Sequence, residues 1–171
     1  LVSILIVFFV GVIDDLLVLS PFKKMVGQII SVLILVFLQE LQIDNMHGVL
    51  GIYVLPDWVS VVFTIFVVIV ITNGFNLIDG VDGLAGGVGV ISSFSFGIIA
   101  LFMKQTEMAI IAFTLMGSLL GFLKYNFHPA KIFMGDTGSL VVGMILSVLA
   151  INSIRYGLVT ETIKLPNKGP L

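Results

Sequence analysis

The sequence predicts an all-α fold: a polytopic transmembrane helical bundle of about five full spans behind one shortened N-terminal span. Three observations predict it. Of 171 residues, 58% are hydrophobic and 11% charged, and the mean hydropathy is +1.22; a soluble domain carries about 25% charged residues. The apolar residues fall into runs of the length a bilayer demands, about 20 residues each. The charged residues gather between those runs. A net charge of −2 gives no basic surface for nucleic acid, and the absence of cysteine excludes disulfides and thiolate metal sites.

The first run, Leu1–Ile13, ends at Asp14-Asp15. As a helix it reaches only ~20 Å against a hydrocarbon core of ~30 Å. It has neither a basic leader nor a small-residue cleavage site, so a signal peptide fits poorly. The expectation is a single transmembrane catalytic domain over 1–171, incomplete at both ends and beginning inside a helix. The second span, Phe22–Leu41, has Ser20 placed as N-cap and Pro21 at its first position. The third covers Asp57–Ile71, the fourth Leu84–Met103, the fifth Met108–Leu123 and the sixth Gly138–Ile154, with Asp136 or Thr137 as cap. Small residues in the fourth (Ala85, Gly86, Gly87, Gly89, Ser92, Ser93) suit close helix packing in lipid. Between spans two and three, Asp44–Asp57 reads as an external loop or short hairpin with Trp58 at the interface, and His47 there is a solvated loop residue with no assigned role.

Each span reverses the side. The segments 14–24, 72–83 and 124–137 therefore share one face, and 42–57, 104–107 and the tail 155–171 share the other. The internal loops of the first face carry Lys23, Lys24, Lys124 and Lys131, and those of the second only Lys104, which makes the first face cytoplasmic. Arg155, Lys164 and Lys168 in the tail offset that bias.

Every loop on the first face bears aspartate with asparagine or lysine nearby. The first holds Asp14 and Asp15, then Ser20-Pro21-Phe22-Lys23-Lys24. Adjacent carboxylates at a membrane edge are costly unless solvated, paired or metal-bound. Read blandly, they are a solvated helix end and topogenic lysines. The second loop, Asn73-Gly74-Phe75-Asn76-Leu77-Ile78-Asp79-Gly80-Val81-Asp82-Gly83, packs two amides, two carboxylates and three glycines into one stretch. A plain turn does not need that density, whereas a hard cation or a sugar does; the spacing is not that of an EF-hand. The third runs from Lys124 to Ser139 and includes Asn126, His128, Phe133 and Asp136. Asp136 alone is satisfactory as a cap, and His128 before Pro129 as a turn residue. The apolar pair Phe133-Met134 among charges instead suggests a stacking surface.

Converging carboxylates at a lipid boundary suit Mg²⁺, with Mn²⁺ as a substitute, bridging protein to substrate phosphates. No glycine-lysine nucleotide loop is present, so an ATPase does not fit. A lipid-edge site points to one lipid and one water-soluble substrate, and phosphoryl transfer needs the positioning and neutralisation that metal and lysine supply.

Three motifs carry a resemblance over nearly the whole chain: Gly11–Asp15 with Ser20-Pro21 and Lys24-Met25-Val26-Gly27-Gln28, then Asn73–Ala85, then Asn126–Ser139. They resemble the polyprenyl-phosphate N-acetylhexosamine-1-phosphate transferases, a family of multi-pass proteins of the cell inner (plasma) membrane with a cytoplasmic-face active site. The resemblance implies Mg²⁺-dependent transfer of a sugar-1-phosphate from a UDP-N-acetylhexosamine to polyprenyl phosphate, with release of UMP. It implies catalytic roles for Asp14, Asp15, Asp79 and Asp136. Asp14 matches a base that deprotonates the lipid phosphate, and Asp136 a metal-associated aspartate, which an older proposal makes a covalent nucleophile. Asp14 and Asp136 are the implied metal ligands. Lys24 and Asn126 match positions lining the phosphate region, and Gly80, Val81 and Asp82 the nucleoside pocket, with Phe133 stacking on uracil. Asn73, Asn76 and His128 join the implied substrate-binding set. The family's early helices and its late His-rich loop fall outside this sequence, so the expectation is a fragment inactive alone. The Ser20-Pro21–Lys24–Gly27-Gln28 pattern and His128-Pro129-Ala130 favour the N-acetylglucosamine type. Assembly as a homodimer stays open. The rival class is a transporter or channel with an acidic cation site at the cytoplasmic edge; such proteins place ionisable groups near the midplane, and these spans hold almost none.

Overall fold

The computed structural model describes the backbone of residues 1–164 and side chains through Arg155. It contains six α-helices: α1 (Val2–Leu17), α2 (Pro21–Gln39), α3 (Asp57–Ile78), α4 (Leu84–Phe102), α5 (Thr106–Asn126) and α6 (Gly135–Lys164). Five of them, all but α1, are long and apolar enough to cross a membrane. The all-α polytopic bundle is thus as the sequence predicts. The tail beyond Lys164, including Lys168, lies outside the described residues.

α5 runs on to Asn126 and α6 to Lys164, past the expected Leu123 and Ile154, and three further boundaries differ from expectation where polar residues found tertiary partners. α1 continues past Ile13 to Leu17, so Asp14 and Asp15 lie on its last turns rather than in a loop. α3 continues past Ile71 to Ile78, so Asn73 and Asn76 are helical. α6 starts at Gly135, so Asp136 and Thr137 occupy its first turn instead of capping it. Ser20 does stand at the N-cap of α2 with Pro21 following, but its side chain makes no capping bond.

α6 is the central helix. One of its faces supplies Leu140, Met144 and Ile151 to a core with Val7, Val32 and Val68. Another supplies Val142, Leu146 and Leu149 to a core with Phe75, Ala85, Ala112 and Leu119. α6 touches α1, α3, α4 and α5, while α1–α2 and α4–α5 pack as hairpins. Two glycines let backbones meet at its crossings. A Cβ on Gly11 would lie 2.5 Å from the Thr137 Cα, and one on Gly143 would lie 2.8 Å from the Thr72 Cα. Close backbone approach of this kind is how helices associate in lipid, where no hydrophobic driving force separates protein from solvent.

The α2–α3 connection is a short irregular hairpin. Met46 N–H donates to Tyr53 O and Leu55 N–H to Asp44 O, with one 3₁₀ turn at Val49–Gly51. Its base is stitched to α3: Ile43 N–H donates to Thr64 Oγ1 and Ser60 Oγ donates to Ile43 O. Irregular backbone near a membrane is tolerated where protein satisfies its polar groups, as here.

Candidate active site

The C-terminal ends of α1, α3 and α5 and the N-terminal ends of α2, α4 and α6 share one end of the bundle, which is the face that helix parity assigns to the acidic loops. The centre is Lys24, in the first turn of α2. Its Nζ lies 3.0 Å from Asp14 Oδ2 and 2.5 Å from Asp136 Oδ1, and donates to Asn76 Oδ1 at 3.4 Å. Asn76 Nδ2 in turn donates to Asp136 Oδ1, and to Ser139 Oγ at 2.7 Å. Four helices thus converge on one ammonium group. Asp14 is 8% exposed, and its other oxygen accepts from Leu19 N at 2.6 Å, closing the end of α1.

Asp15 faces another way. Its Oδ1 accepts from Asp136 N at 2.8 Å, and its Oδ2 from Thr137 N at 2.9 Å and Thr137 Oγ1 at 2.5 Å. Asp79 stands at the C-cap of α3, where its Oδ2 accepts from Gly135 N at 3.0 Å. Its Oδ1 is buried with no protein partner, and the residue is 9% exposed. Burial pushes the Asp79 carboxyl above the ordinary range, against the opposing pull of the Gly135 and Met134 amides.

A second group sits between the α3–α4 turn and the α5–α6 loop. Asp82 Oδ2 accepts from Ala130 N at 3.1 Å and lies 2.9 Å from His128 Nδ1. The Ala130 amide, then His128, hold the Asp82 carboxyl below its usual value. Asn126, 1% exposed, accepts from Gly83 N at 2.9 Å and donates to Ile132 O at 2.8 Å. Its amide is therefore spent on pinning two loops together.

The structure thus brings Asp14, Asp15, Lys24, Asn76, Asp79 and Asp136 into one network, and Asp82, Asn126 and His128 into an adjoining one. Asn73 lies one turn deeper, in a reciprocal amide pair with buried Gln28: 2.7 Å from Asn73 Nδ2 to Gln28 Oε1, and 3.2 Å from Gln28 Nε2 to Asn73 Oδ1. Gly80 and Val81 form the turn after α3, and Phe133 stands exposed ahead of α6; none of the three bonds to either network among the described residues. Thr137 and Ser139, read from sequence as cap and motif residues only, are working members of the network. Gln28, which sequence reading also passed over as a partner, holds Asn73 in the deeper pair, and its signal is spacing: Lys24 and Gln28 are i and i+4 on one helix face.

The donor set fits a hard divalent cation. The carboxylates of Asp14 and Asp136 and the amide oxygen of Asn76 already converge on one positive nitrogen. Among the described residues no three His, Cys, Asp or Glu side chains form a complete metal cage. Two carboxylates supplemented by substrate phosphates match the habit of Mg²⁺.

A family model for glycosyl transferase family 4 matches residues 1–154. The chain belongs to glycosyl transferase family 4. Its family relatives include phospho-N-acetylmuramoyl-pentapeptide-transferases from Levilactobacillus brevis, 40% identical over 136 residues, and Rubrobacter xylanophilus, 50% identical over 90 residues. Another, from Listeria monocytogenes, is 46% identical over 94 residues. These alignments take in 78%, 53% and 55% of this chain, but only 42%, 27% and 29% of the respective relatives. This family 4 chain thus spans less than half the length of the curated relatives it matches.

Proposed function

We propose that this chain carries the phosphate-binding part of a Mg²⁺-dependent transferase that moves N-acetylhexosamine-1-phosphate from a UDP-sugar to polyprenyl phosphate. The Asp14–Lys24–Asp136 cluster at one end of a membrane-spanning bundle carries the reading. A lipid phosphate held at the bilayer surface and a nucleotide sugar arriving from water meet at such a place. Family membership and the named activity of the relatives support it. A transporter is less well supported, because the ionisable groups of this network cluster at helix ends.

In this reading a lipid phosphate oxygen attacks the β-phosphorus of the UDP-sugar. The bond from that phosphorus to the oxygen bridging the α-phosphate breaks, and UMP leaves. Asp14 takes the proton of the lipid phosphate. Lys24 neutralises the diphosphate, and Asn76 orients Asp136. Asp136 and Asp14 would hold the divalent cation, which would supply charge neutralisation on the phosphates when bound. Asp79 is a further carboxylate beside Gly135, and Asp15 completes the acidic set. Gly80, Val81 and Asp82, with Phe133 and His128, receive the nucleoside, and Asn126 fixes the loops that carry them. The basic residues of the internal loops support a cytoplasmic position for this end in a plasma-membrane protein.

The donor is UDP-N-acetylglucosamine on the motif pattern of Ser20-Pro21, Lys24 and His128-Pro129-Ala130. The relatives' names favour a second reading, UDP-N-acetylmuramoyl-pentapeptide. UMP release, measured with each donor, polyprenyl phosphate and Mg²⁺ on protein expressed in its natural sequence context, separates the two. Asp14→Asn and Asp136→Asn are each expected to lower kcat by about 100-fold or more, the scale of losing a general base or a charge-stabilising group. Activity that survives both substitutions overturns the assignment.

A further inference from the structure

We infer that Asp15 is a positioning residue: its carboxylate caps the N-terminus of α6 from a neighbouring helix and so fixes where Asp136 stands against Asp14, Lys24 and Asn76. The inference deepens the transferase reading and rests on it for its functional consequence.

Adjacent residues on a helix point about 100° apart. Asp14 is buried toward Lys24, whereas Asp15 is exposed and turned toward α6. An ionised carboxylate offers about four lone-pair sites. Three of those on Asp15 meet donors of α6, from the amides of Asp136 and Thr137 and the Thr137 hydroxyl. A fourth α6 donor, the Gly135 amide, goes to Asp79. The first turn of a helix leaves its N–H groups without internal partners, and the preceding residue usually supplies an oxygen. Here that residue is Met134, whose thioether is a poor acceptor. Helices α1 and α3 provide the missing caps.

Two glycines make room for this. Gly11, one turn before Asp15, allows the α1 backbone to touch Thr137. Gly135 takes φ 69°, and a Cβ there would lie 3.1 Å from both Asp15 carboxylate oxygens. Asp136 sits between the capped amides, so its position along and around α6 is set by Asp15. The ammonium that Asp136 shares with Asp14 is therefore held in register by the second member of the aspartate pair, which leaves the group of carboxylates that touch the reactants.

Hydrogen–deuterium exchange of the segment 134–140 tests the capping without any substrate. In Asp15→Ala, the Asp136 and Thr137 amides are expected to exchange at least tenfold faster, with α5 unchanged. UMP release tests the functional half. Asp15→Ala is expected to lower kcat, to leave the KM for the UDP-sugar within threefold, and to keep the shape of the pH profile. Thr137→Val should lower kcat in the wild-type background and add nothing beyond threefold in the Asp15→Ala background. Unchanged exchange, multiplying effects in the double variant, or loss of one limb of the pH profile each overturns the inference. If Asp15→Ala does not fold, Thr137→Val decides alone, and exchange at Asp136 and Thr137 that rises less than threefold overturns it. A wild type that releases no UMP sinks the transferase reading, while the exchange result still decides the cap.

Discussion

Two carboxylates approach each other across α1 and α6 because the Lys24 ammonium lies between them, 3.0 Å from Asp14 and 2.5 Å from Asp136. Removing that charge leaves two partly buried anions face to face, a costlier state than replacing the whole group. Lys24→Met is therefore expected to lower the melting temperature and to reduce UMP-release kcat by about 100-fold or more, measured beside the wild type at one Mg²⁺ concentration. Lys24→Arg should not restore it fully, since a planar fork cannot replace a compact ammonium. Asp79 gives a pH-dependent case. Burial raises its carboxyl above the ordinary value, so its favourable contribution is complete at low pH and is lost as pH rises through the folded-state value. Asp79→Asn should thus look more stabilising, relative to wild type, at pH 7.5 than at pH 4. Thermal melts at the two pH values check the sign. At this scale the acidic residues were legible from helix parity, because charge at a membrane edge is conspicuous. Their partners were not. Nothing local tells that Asn126 spends its amide on Gly83 and Ile132 rather than on a substrate.

The extension of α3 shows why element boundaries were harder. Asn73, Gly74 and Asn76 follow a strongly apolar run and read as a loop. The helix continues because Gln28 and Ile69 O satisfy Asn73, while Asp136 and Ser139 satisfy Asn76. Gln28, Asp136 and Ser139 lie on α2 and α6, out of reach of any local pattern. The glycines divide in the same way. Composition marked Gly86, Gly87 and Gly89 of α4 for packing, and Gly86 and Gly89 do meet Leu123 and Leu119 closely, as does Gly97, which composition had not marked, with Phe113. Gly87 meets nothing within 4 Å, and neither does Gly121 on α5. Gly143→Ala, driven into the Thr72 backbone, is expected to cost about 1–3 kcal/mol of stability. Gly87→Ala and Gly121→Ala should be neutral or stabilising by up to about 1 kcal/mol, since alanine is the better helix former. Thermal unfolding in one detergent compares all three, and a Gly143→Ala protein as stable as wild type contradicts the crossing described here.

For the whole molecule, parity was the most transferable part of the sequence reading. It needed only a count of spans, and the structure places the aspartate-bearing ends together at one pole. The absence of cysteine makes this testable without background labelling. His47→Cys is expected to react with an impermeant maleimide in intact cells, and Lys131→Cys only after permeabilisation. The reverse pattern inverts the proposed orientation. What parity could not reveal is that the last described helix is the hub. Among the described residues the α1 and α3 backbones do not approach each other closely, and α5 packs chiefly on α4. α6 closes against both halves and brings Asp136 to the ammonium of Lys24. Translation runs from α1 to α6, so the ribosome delivers α6 only after the five helices it joins. A nascent chain halted before Gly135 lacks Asp136, so the ammonium of Lys24 gains its second carboxylate only when α6 arrives.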